Sequence, residues 1–343
     1  MYKYSFLNDY SEGAHPRILE ALTRTNLMQE PGYGEDQYCL EAADLIRQAA
    51  GNQSADIHFV SGGTQANLIF LSSVLRPYES VIAVDTGHIC VHETGAIEAT
   101  GHKINSVKGR DGKITVAEIE EIAAGHNDEH MVKPRVVYIS HPTELGTIYS
   151  AREIREISAI CNKLNLLFYL DGARLGSALT ARPSDLNLKE LSSLVDAFYI
   201  GGTKNGALLG EALIINNPLI KTGFRHVIKQ KGGLLSKGRL IGIQFLELFK
   251  DNLFYELARN ANEKAQRLAQ GIASLGYSLQ TESPTNQIFP ILPNSVIQTM
   301  NQIYRFYTWA KVDQDNSSIR LVTSWATSDK AVEEFLTDIN TCA

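Results

Sequence analysis

The sequence predicts an α/β protein with a mostly parallel central sheet, helices on both faces of that sheet, and a smaller C-terminal α+β domain. Three observations support this prediction. Short apolar runs alternate with helical stretches along the first two thirds of the chain. These runs are hydrophobic almost without interruption, as in strands that are buried on both faces. The residues that could carry chemistry follow the runs directly, at the strand ends where open α/β sheets bind ligands.

Six strands are predicted from runs that are rich in Val, Ile, Phe and Tyr and end in Gly, Asp, Ser or Thr. They span 56–60, 80–84, 135–140, 166–170, 196–200 and 211–215. Between two of them, residues 151–164 carry Ile154 and Ile157 on one stripe, which predicts a crossover helix. Helices over 116–124 and 188–194 are predicted on the same grounds.

The pattern changes after residue 235, which predicts a large domain over 1–235 and a small domain over 236–343. Within the small domain, the spacing of apolar residues is that of long helices, and two short runs have the composition of strands. The predicted elements are helices over 238–275 and 328–340 and strands over 285–290 and 318–322.

The composition narrows the class of protein. The chain has 343 residues, of which 44% are hydrophobic and 20% charged, with a formal net charge of -6. These values are typical of a globular protein, and the lack of a long basic run argues against nucleic acid and anionic membranes as partners. No apolar run is long enough to cross a bilayer, and the N-terminus lacks the apolar core of a signal peptide.

The spacing of the cysteines narrows the class of protein further. The four of them are far apart and form no C-x-x-C pair: Cys39, Cys90, Cys161 and Cys342. This spacing argues against a disulfide framework and against a zinc site. We therefore expect a protein of the reducing cytoplasm.

A glycine-rich turn follows the first predicted strand of the sheet and opens a helix. In this turn, Gly62 and Gly63 would let the backbone approach an anion closely, and with Thr64 they would present free amides at a helix start. That arrangement predicts a phosphate site. An equally good interpretation is a flexible turn in which Thr64 caps the helix. The segment does not match the nucleoside-triphosphate loop pattern G-x-x-x-x-G-K-[ST].

Asp171 ends the predicted strand 166–170, and Arg174 follows it closely. A carboxylate in this place could keep the ring nitrogen of a bound cofactor protonated, which makes such a ring an electron sink. The alternative is an aspartate that caps a helix. Arg174 could hold a substrate carboxylate through a bidentate pair, or it could form a surface ion pair.

Lys204 leaves the predicted strand 196–200 among small residues, Gly201, Gly202 and Gly206. Burial lowers the pKa of a lysine and favours imine formation with a carbonyl group. The pattern thus indicates a lysine that binds a cofactor covalently, and the alternative is a solvated lysine near a turn.

Two histidines and one arginine complete the candidates. His88 opens a predicted helix, where a flat imidazole could stack on a cofactor ring. His92 lies four residues further on, as in a pair of metal ligands, but no third ligand is evident, so we expect no metal and interpret His92 as structural. Arg320, between apolar residues of a predicted strand, needs a carboxylate partner if it is buried; otherwise it faces water on an edge strand.

The order of phosphate turn, stacking histidine, strand-end aspartate and strand-end lysine resembles the fold-type I enzymes that depend on pyridoxal 5'-phosphate (PLP). It is most similar to the threonine aldolase and β-eliminating lyase group, from Asn8 to Arg320. The resemblance implies a PLP-dependent transferase-like fold and a lyase that cleaves L-threonine or L-allo-threonine to glycine and acetaldehyde. A β-eliminating lyase, an aminotransferase and a non-catalytic protein of this fold are the alternatives.

The resemblance also implies roles for individual residues. The implied catalytic residues are Lys204 as the Schiff-base lysine, Asp171 at the pyridine nitrogen and His88 on the ring. The implied phosphate ligands are Gly62, Gly63 and Thr64. The implied substrate residues are Asn8, Arg174, Arg320 and Tyr33. Members of the group form homodimers or homotetramers, so Tyr33 and a lysine at 229 or 231 (Lys229, Lys231) would approach the site of a neighbouring subunit.

The sequence departs from the group at the residue that contacts the substrate hydroxyl. The histidine of the group corresponds to Pro142 here, and His141 lies one position away. The base that takes the hydroxyl proton is therefore open among His88, His141 and a bound water.

Overall fold

A computed structural model of the chain describes residues 2–342. Its first two thirds alternate strands and helices. In chain order they are β1 (Tyr4–Ser5), α1 (Pro16–Thr25), α2 (Gln37–Ala50), β2 (Asp56–Val60), α3 (Gly63–Val74), β3 (Glu79–Val84), α4 (His88–Val91), β4 (Lys103–Val107), α5 (Val116–Gly125), β5 (Lys133–Ser140), α6 (Ala151–Leu164), β6 (Leu167–Asp171), α7 (Leu175–Thr180), α8 (Leu188–Leu194), β7 (Ala197–Gly201) and β8 (Glu211–Ile215).

The last third is mostly helical and ends in a small sheet. Its elements are α9 (Pro218–Lys221), α10 (Phe224–Gln230), α11 (Arg239–Phe249), α12 (Leu253–Ser274), β9 (Gln287–Ile288), β10 (Ile291–Pro293), α13 (Asn294–Met300), β11 (Tyr304–Arg305), β12 (Tyr307–Lys311), β13 (Asn316–Val322) and α14 (Asp329–Thr341). In residues 2–342, no helix is both long enough and apolar enough to cross a bilayer.

The central sheet has seven strands in the order β2-β8-β7-β6-β5-β3-β4. Strands β3 to β7 are parallel to one another, whereas β8 is antiparallel to both β7 and β2. Strand β2 therefore runs in the same direction as β3 to β7. The carboxyl ends of six strands and the beginning of β8 lie along one edge, and the predicted mostly parallel sheet is confirmed.

Side chains alternate between the two faces of this sheet, and each face is covered by helices. On β5, Val137 and Ile139 belong to a core that includes residues of α1, α2, α6 and α11. Val136 and Tyr138 belong to the opposite core, which includes residues of α3 and α10. Burial on both faces is the reason that these strands are almost continuously hydrophobic in the sequence.

The C-terminal part has its own core and sheet. Strand β13 lies between β10 and β12 and also pairs with β9, and helices α12, α13 and α14 pack on this sheet. Strand β1 pairs with β11, so the N-terminal arm joins this part of the molecule. Helix α11 contributes Ile241 and Phe245 to the larger core. The division between residues 235 and 236 stays a prediction.

The stretch 238–275, predicted as long helices, forms α11 and α12. It breaks between α11 and α12, where Asp251 and Asn252 have φ angles of 55° and 60°. Short polar side chains tolerate this left-handed backbone better than other residues do. The consecutive Asp and Asn were the local signal for the break.

One buried histidine makes the stability of this fold sensitive to acid. Burial lowers the pKa of His141 from 6.5 to about 4. Below pH 6.5 the imidazole of His141 takes up a proton in the unfolded chain but not in the folded chain. The free energy of unfolding is therefore highest above pH 6.5 and declines as the pH falls towards 4. We expect this difference in protonation of His141 to lower the free energy of unfolding by about 3 kcal/mol once the pH has fallen to 4.

Urea unfolding of the wild type and of His141→Asn at pH 7.5 and pH 5.0 measures this effect. The variant is expected to be less stable at pH 7.5 but to lose less stability on acidification. His130→Gln, at an exposed position, is the control and should behave as the wild type. Equal acid sensitivity in His141→Asn and the wild type would contradict the prediction.

Candidate active site

The predicted site residues converge at the carboxyl edge of the central sheet. His88 follows β3, Asp171 is the last residue of β6, and Lys204 follows β7. Because β8 runs in the opposite direction, its first residue, Glu211, lies at the same edge, paired with Gly201. The sheet topology thus brings together residues that are more than a hundred positions apart in the chain.

Asp171 is 3% exposed and is held by donors from several elements. Its Oδ2 accepts hydrogen bonds from Tyr138 at 2.7 Å and from Asn67 at 3.1 Å. Its Oδ1 accepts from the Tyr199 hydroxyl and from the backbone N–H of Ala173 at 3.0 Å. The carboxylate does not cap α7, whose N-cap residue is Arg174. The capping alternative is therefore wrong.

The environment keeps Asp171 ionised. Burial by itself would raise its pKa, but the charge of His88 and the hydrogen bonds from Tyr199, Tyr138 and Asn67 outweigh that effect and lower the pKa. A permanently charged carboxylate at this edge can stabilise a protonated ring nitrogen.

His88 is fixed in orientation by two buried carboxyl groups. Its Nδ1 lies 2.8 Å from Oε1 of Glu93, and its backbone N–H donates to Oε1 of Glu144 at 2.9 Å. Glu93 Oε1 also accepts from Asn67 at 2.8 Å, which joins His88 to the residues around Asp171. The imidazole is thus held at the edge while 31% of its side chain stays exposed, as a ring that stacks on a flat ligand requires.

Lys204 has no hydrogen-bond acceptor for its Nζ among residues 2–342. Burial and the charge of Arg174 lower its pKa, although Asp9, Asp171 and Glu211 act in the opposite direction. Burial also raises the pKa of Glu211, whose side chain accepts from the backbone N–H of Gly202 at 3.0 Å. A lysine in this environment is a better nucleophile than a solvated one.

The glycine turn has the form of an anion site. Gly62 is the N-cap of α3 and makes no side-chain cap bond, and Thr64 is exposed in the first turn. The alternative in which Thr64 caps the helix is therefore wrong. A Cβ on Gly63 would lie 2.7 Å from the hydroxyl of Tyr199, so glycine is needed there. The first-turn amides, with the positive end of the helix dipole, can bind a phosphate.

Arg174 forms a buried bidentate pair with Asp9. The Nε–Oδ2 distance is 2.6 Å and the Nη2–Oδ1 distance is 3.0 Å, while the side chains are 15% and 0% exposed. Asn286 also donates to Asp9, at 2.9 Å. The surface ion-pair alternative is wrong. Within residues 2–342, Arg174 makes no other side-chain hydrogen bond, so its remaining N–H groups can bind a ligand.

Arg320 lies on β13, an interior strand of the small sheet, so the edge-strand alternative is wrong. Its guanidinium is 5.2 Å from the ring centre of Tyr307 and 5.1 Å from that of Trp309. Its Nη2 donates to the carbonyl of Leu7 at 3.3 Å, and its buried Nε has no partner in the part of the chain that the structure describes. An unpaired, half-buried guanidinium is a ready site for a carboxylate.

Asn8, beside this arginine in the N-terminal arm, uses its side-chain carbonyl within a turn. Its Oδ1 accepts from the backbone N–H of Tyr10 at 3.0 Å and from Ser11 at 2.9 Å. The amide group of Asn8 is the part that can donate to a ligand.

Tyr33 and Lys229 meet each other rather than Lys204. The Nζ of Lys229 lies 4.5 Å from the ring centre of Tyr33, which is 43% exposed. Lys231 lies just beyond the end of the same helix, α10. Among residues 2–342, none of the three is hydrogen-bonded to the cluster around Asp171, so within one chain they stand apart from it.

Several residues of the site went unnoticed in the sequence. The most important are Asn67, Glu93, Tyr138, Tyr199 and Asp9. A signal existed for the tyrosines, because a hydroxyl in an otherwise apolar buried strand needs a partner. No comparable signal marked Asn67 or Asp9, whose partners lie far away in the chain.

His141 does not take part in the site. It is fully buried, and its Nδ1 accepts from the backbone N–H of Tyr149 at 3.3 Å. The charged groups that influence it most are Lys113 and Glu153, an ion pair formed with α6, the helix that covers the opposite face of the sheet. Within residues 2–342, no group of three potential metal ligands is present.

The fold and the site together define a fold-type I PLP-dependent enzyme. The chain has this fold in common with an aspartate aminotransferase of Thermus thermophilus (TM-score 0.74, 12% identity, 100% of this chain and 92% of the other). The model of the β-eliminating lyase family matches residues 6–294, and the chain belongs to this family. It is accordingly a PLP-dependent lyase.

Two relatives are similar over nearly the whole length. A low-specificity L-threonine aldolase of a Pseudomonas species is 34% identical over 341 residues, which cover 97% of this chain and 96% of the relative. The structure of a Leishmania major threonine aldolase superposes with a TM-score of 0.98 at 48% identity, over 99% of this chain and 100% of the other.

The described residues fit PLP. The uncapped start of α3 offers amides to its phosphate, the unpartnered Lys204 offers an amine to its aldehyde, and the ionised Asp171 offers a partner to its ring nitrogen.

Removal of Asp9 should be costly because it strands a buried charge. Asp9→Ala leaves Arg174 without its partner, and we expect a loss of about 3–5 kcal/mol of unfolding free energy. Denaturant unfolding measures this loss. Glu35→Ala breaks the exposed pair with Arg225 and is the matched control, with an expected loss below about 1 kcal/mol. Equal losses in the two variants would contradict the prediction.

Proposed function

We propose that the chain cleaves the Cα–Cβ bond of β-hydroxy-α-amino acids, releasing glycine and an aldehyde, with L-threonine and L-allo-threonine as substrates. The observation that carries this proposal is the meeting of Lys204, Asp171 and the Arg174 guanidinium at one edge of the sheet, in a chain whose near full-length relatives are threonine aldolases.

Each part of the cofactor has a proposed partner. Gly62, Gly63 and Thr64 bind the phosphate through the amides at the start of α3. Lys204 holds the aldehyde carbon, Asp171 the protonated ring nitrogen, and His88 packs on the ring. When bound, PLP supplies the electron sink that makes bond cleavage at Cα possible.

The substrate carboxylate is assigned to Arg320 and Arg174, with Asn8 beside them. Arg320 has a buried Nε without a partner, and Arg174 keeps donors beyond those used by Asp9. Two guanidinium groups fix the direction of the carboxylate and hence the direction of the Cα–Cβ bond. Which bond at Cα is broken follows from that orientation.

We propose a homodimer or homotetramer in the cytoplasm. Within residues 2–342, Tyr33, Lys229 and Lys231 form no hydrogen bond to the cluster around Asp171, which supports a role at the site of a neighbouring subunit. Exposed apolar side chains also support an assembly, such as those of Leu27 at 91% and Met28 at 57%. The four free cysteines are consistent with a reducing compartment.

Product analysis distinguishes this function from the alternatives that use the same cofactor. Purified enzyme with PLP and L-threonine should release glycine and acetaldehyde in equal amounts. β-Elimination from L-threonine would release 2-oxobutyrate and ammonia instead, and an aminotransferase would need a keto-acid acceptor. Either of these product patterns, without aldehyde, overturns the proposal.

Lys204→Ala should abolish both covalent binding of PLP and turnover. Borohydride treatment followed by peptide mass spectrometry should locate the cofactor on the peptide that contains Lys204 in the wild type and find none in the variant. We expect kcat to fall on the order of 10³-fold or more. Lys163→Ala, at an exposed lysine paired with Glu120, is the control and should retain both. A cofactor trapped at another lysine would refute the assignment.

A further inference from the structure

The imidazole of His92 lies next to that of His88 at the edge of the site. The two residues are one helical turn apart, and the backbone N–H of His92 donates to the carbonyl of His88 at 2.9 Å. Their ring centres are 5.6 Å apart, and the planes are inclined by 54°. His92 follows the last residue of α4, and the short distance between the rings places its imidazole beside that of His88.

Four cationic or ionisable groups influence the pKa of this imidazole. His88 belongs to its own helix, Arg174 to the segment after β6, Lys204 to the loop after β7, and Arg320 to β13. Partial burial, followed by these groups, lowers the pKa of His92 below 6.5. The imidazole is thus neutral at pH 7 and, exposed beside His88, able to accept a proton from a bound substrate.

The other imidazoles near β3 and β5 are not free for this task. His88 is committed through Nδ1 to Glu93, and His141 is enclosed in the core on the far side. His92, by contrast, is exposed and makes no side-chain hydrogen bond to any residue of the described range 2–342. The interpretation of His92 as a structural histidine is therefore not supported.

We propose that His92 is the catalytic residue that takes the proton from the β-hydroxyl of the substrate, an inference that rests on the proposed aldol cleavage. The O–H electron pair becomes the second bond of the aldehyde carbonyl as the Cα–Cβ bond breaks. The electron pair of that bond stays with the glycine fragment, which takes up a proton at Cα. His92 then returns its proton to water, so the overall reaction is threonine to glycine plus acetaldehyde.

His92→Gln tests the proposal because it keeps a polar side chain but removes the base. We expect kcat/KM for L-threonine to fall by about 10²–10⁴-fold. The dissociation constant of glycine, which has no β-hydroxyl, should stay within about twofold of the wild type when measured by spectroscopic titration. His126→Gln, at a histidine that bonds only the carbonyl of Ile122, is the matched control.

Two pH measurements add readouts that a structural role would not produce. In the apoprotein, NMR titration of the histidine resonances should assign to His92 a pKa below 6.5, in a signal that His92→Gln lacks. In the wild type, kcat/KM should decline as the pH falls through that pKa, since the protonated imidazole cannot accept the hydroxyl proton. His92→Gln should lose this decline.

Three outcomes would overturn the inference. The first is a kcat/KM in His92→Gln within about threefold of the wild type, and the second is a loss of glycine binding that matches the loss of kcat/KM. The third is wild-type enzyme that releases no aldehyde from threonine, which also removes the proposed function. If the wild type cleaves threonine and His92→Gln is equally active, the proposed function stands and only the role of His92 is refuted.

Discussion

The buried carboxylate of Asp171 belongs both to the active site and to the packed interior of the protein. Taking this charge out of water costs several kcal/mol, and the cost is offset only if donors are already in place around it. Those donors come from β5, β7 and α3, through Tyr138, Tyr199 and Asn67. The carboxylate therefore requires that three elements keep their register, and Glu93 extends the same network to His88.

The alternation of side chains along the strands explains why these donors lie together. On β5, Tyr138 lies two residues before Ser140, the residue that pairs with Asp171, so Tyr138 and Asp171 share one face of the sheet. Tyr199 on β7 bonds the same carboxylate from the other side, on the face that α3 covers. A shift of one residue in any strand would turn its side chain into the opposite core. The same register that packs the apolar residues thus also assembles the polar site, and the two cannot be changed independently.

The edge of the sheet carries charged side chains of both signs. Asp9 neutralises Arg174, and Asp171 can pair with a protonated ring nitrogen. Groups of both positive and negative charge influence Lys204. Within residues 2–342, the guanidinium of Arg320 forms no ion pair, and it contacts aromatic rings and a backbone carbonyl. An anionic ligand would complete this set of charges, which is consistent with an amino acid as substrate and with the neutral imidazole of His92 close by.

The sequence by itself determined the class of fold, the strand-end positions of Asp171 and Lys204 and the glycine turn at residue 62, because hydrophobic runs and glycines act locally. It did not reveal the Asp9–Arg174 pair, the donors around Asp171 or the exposure of His92. Those features depend on the order of strands in the sheet and on the face to which each side chain points. Only the tertiary structure decided them, since their partners lie up to 165 residues apart in the chain.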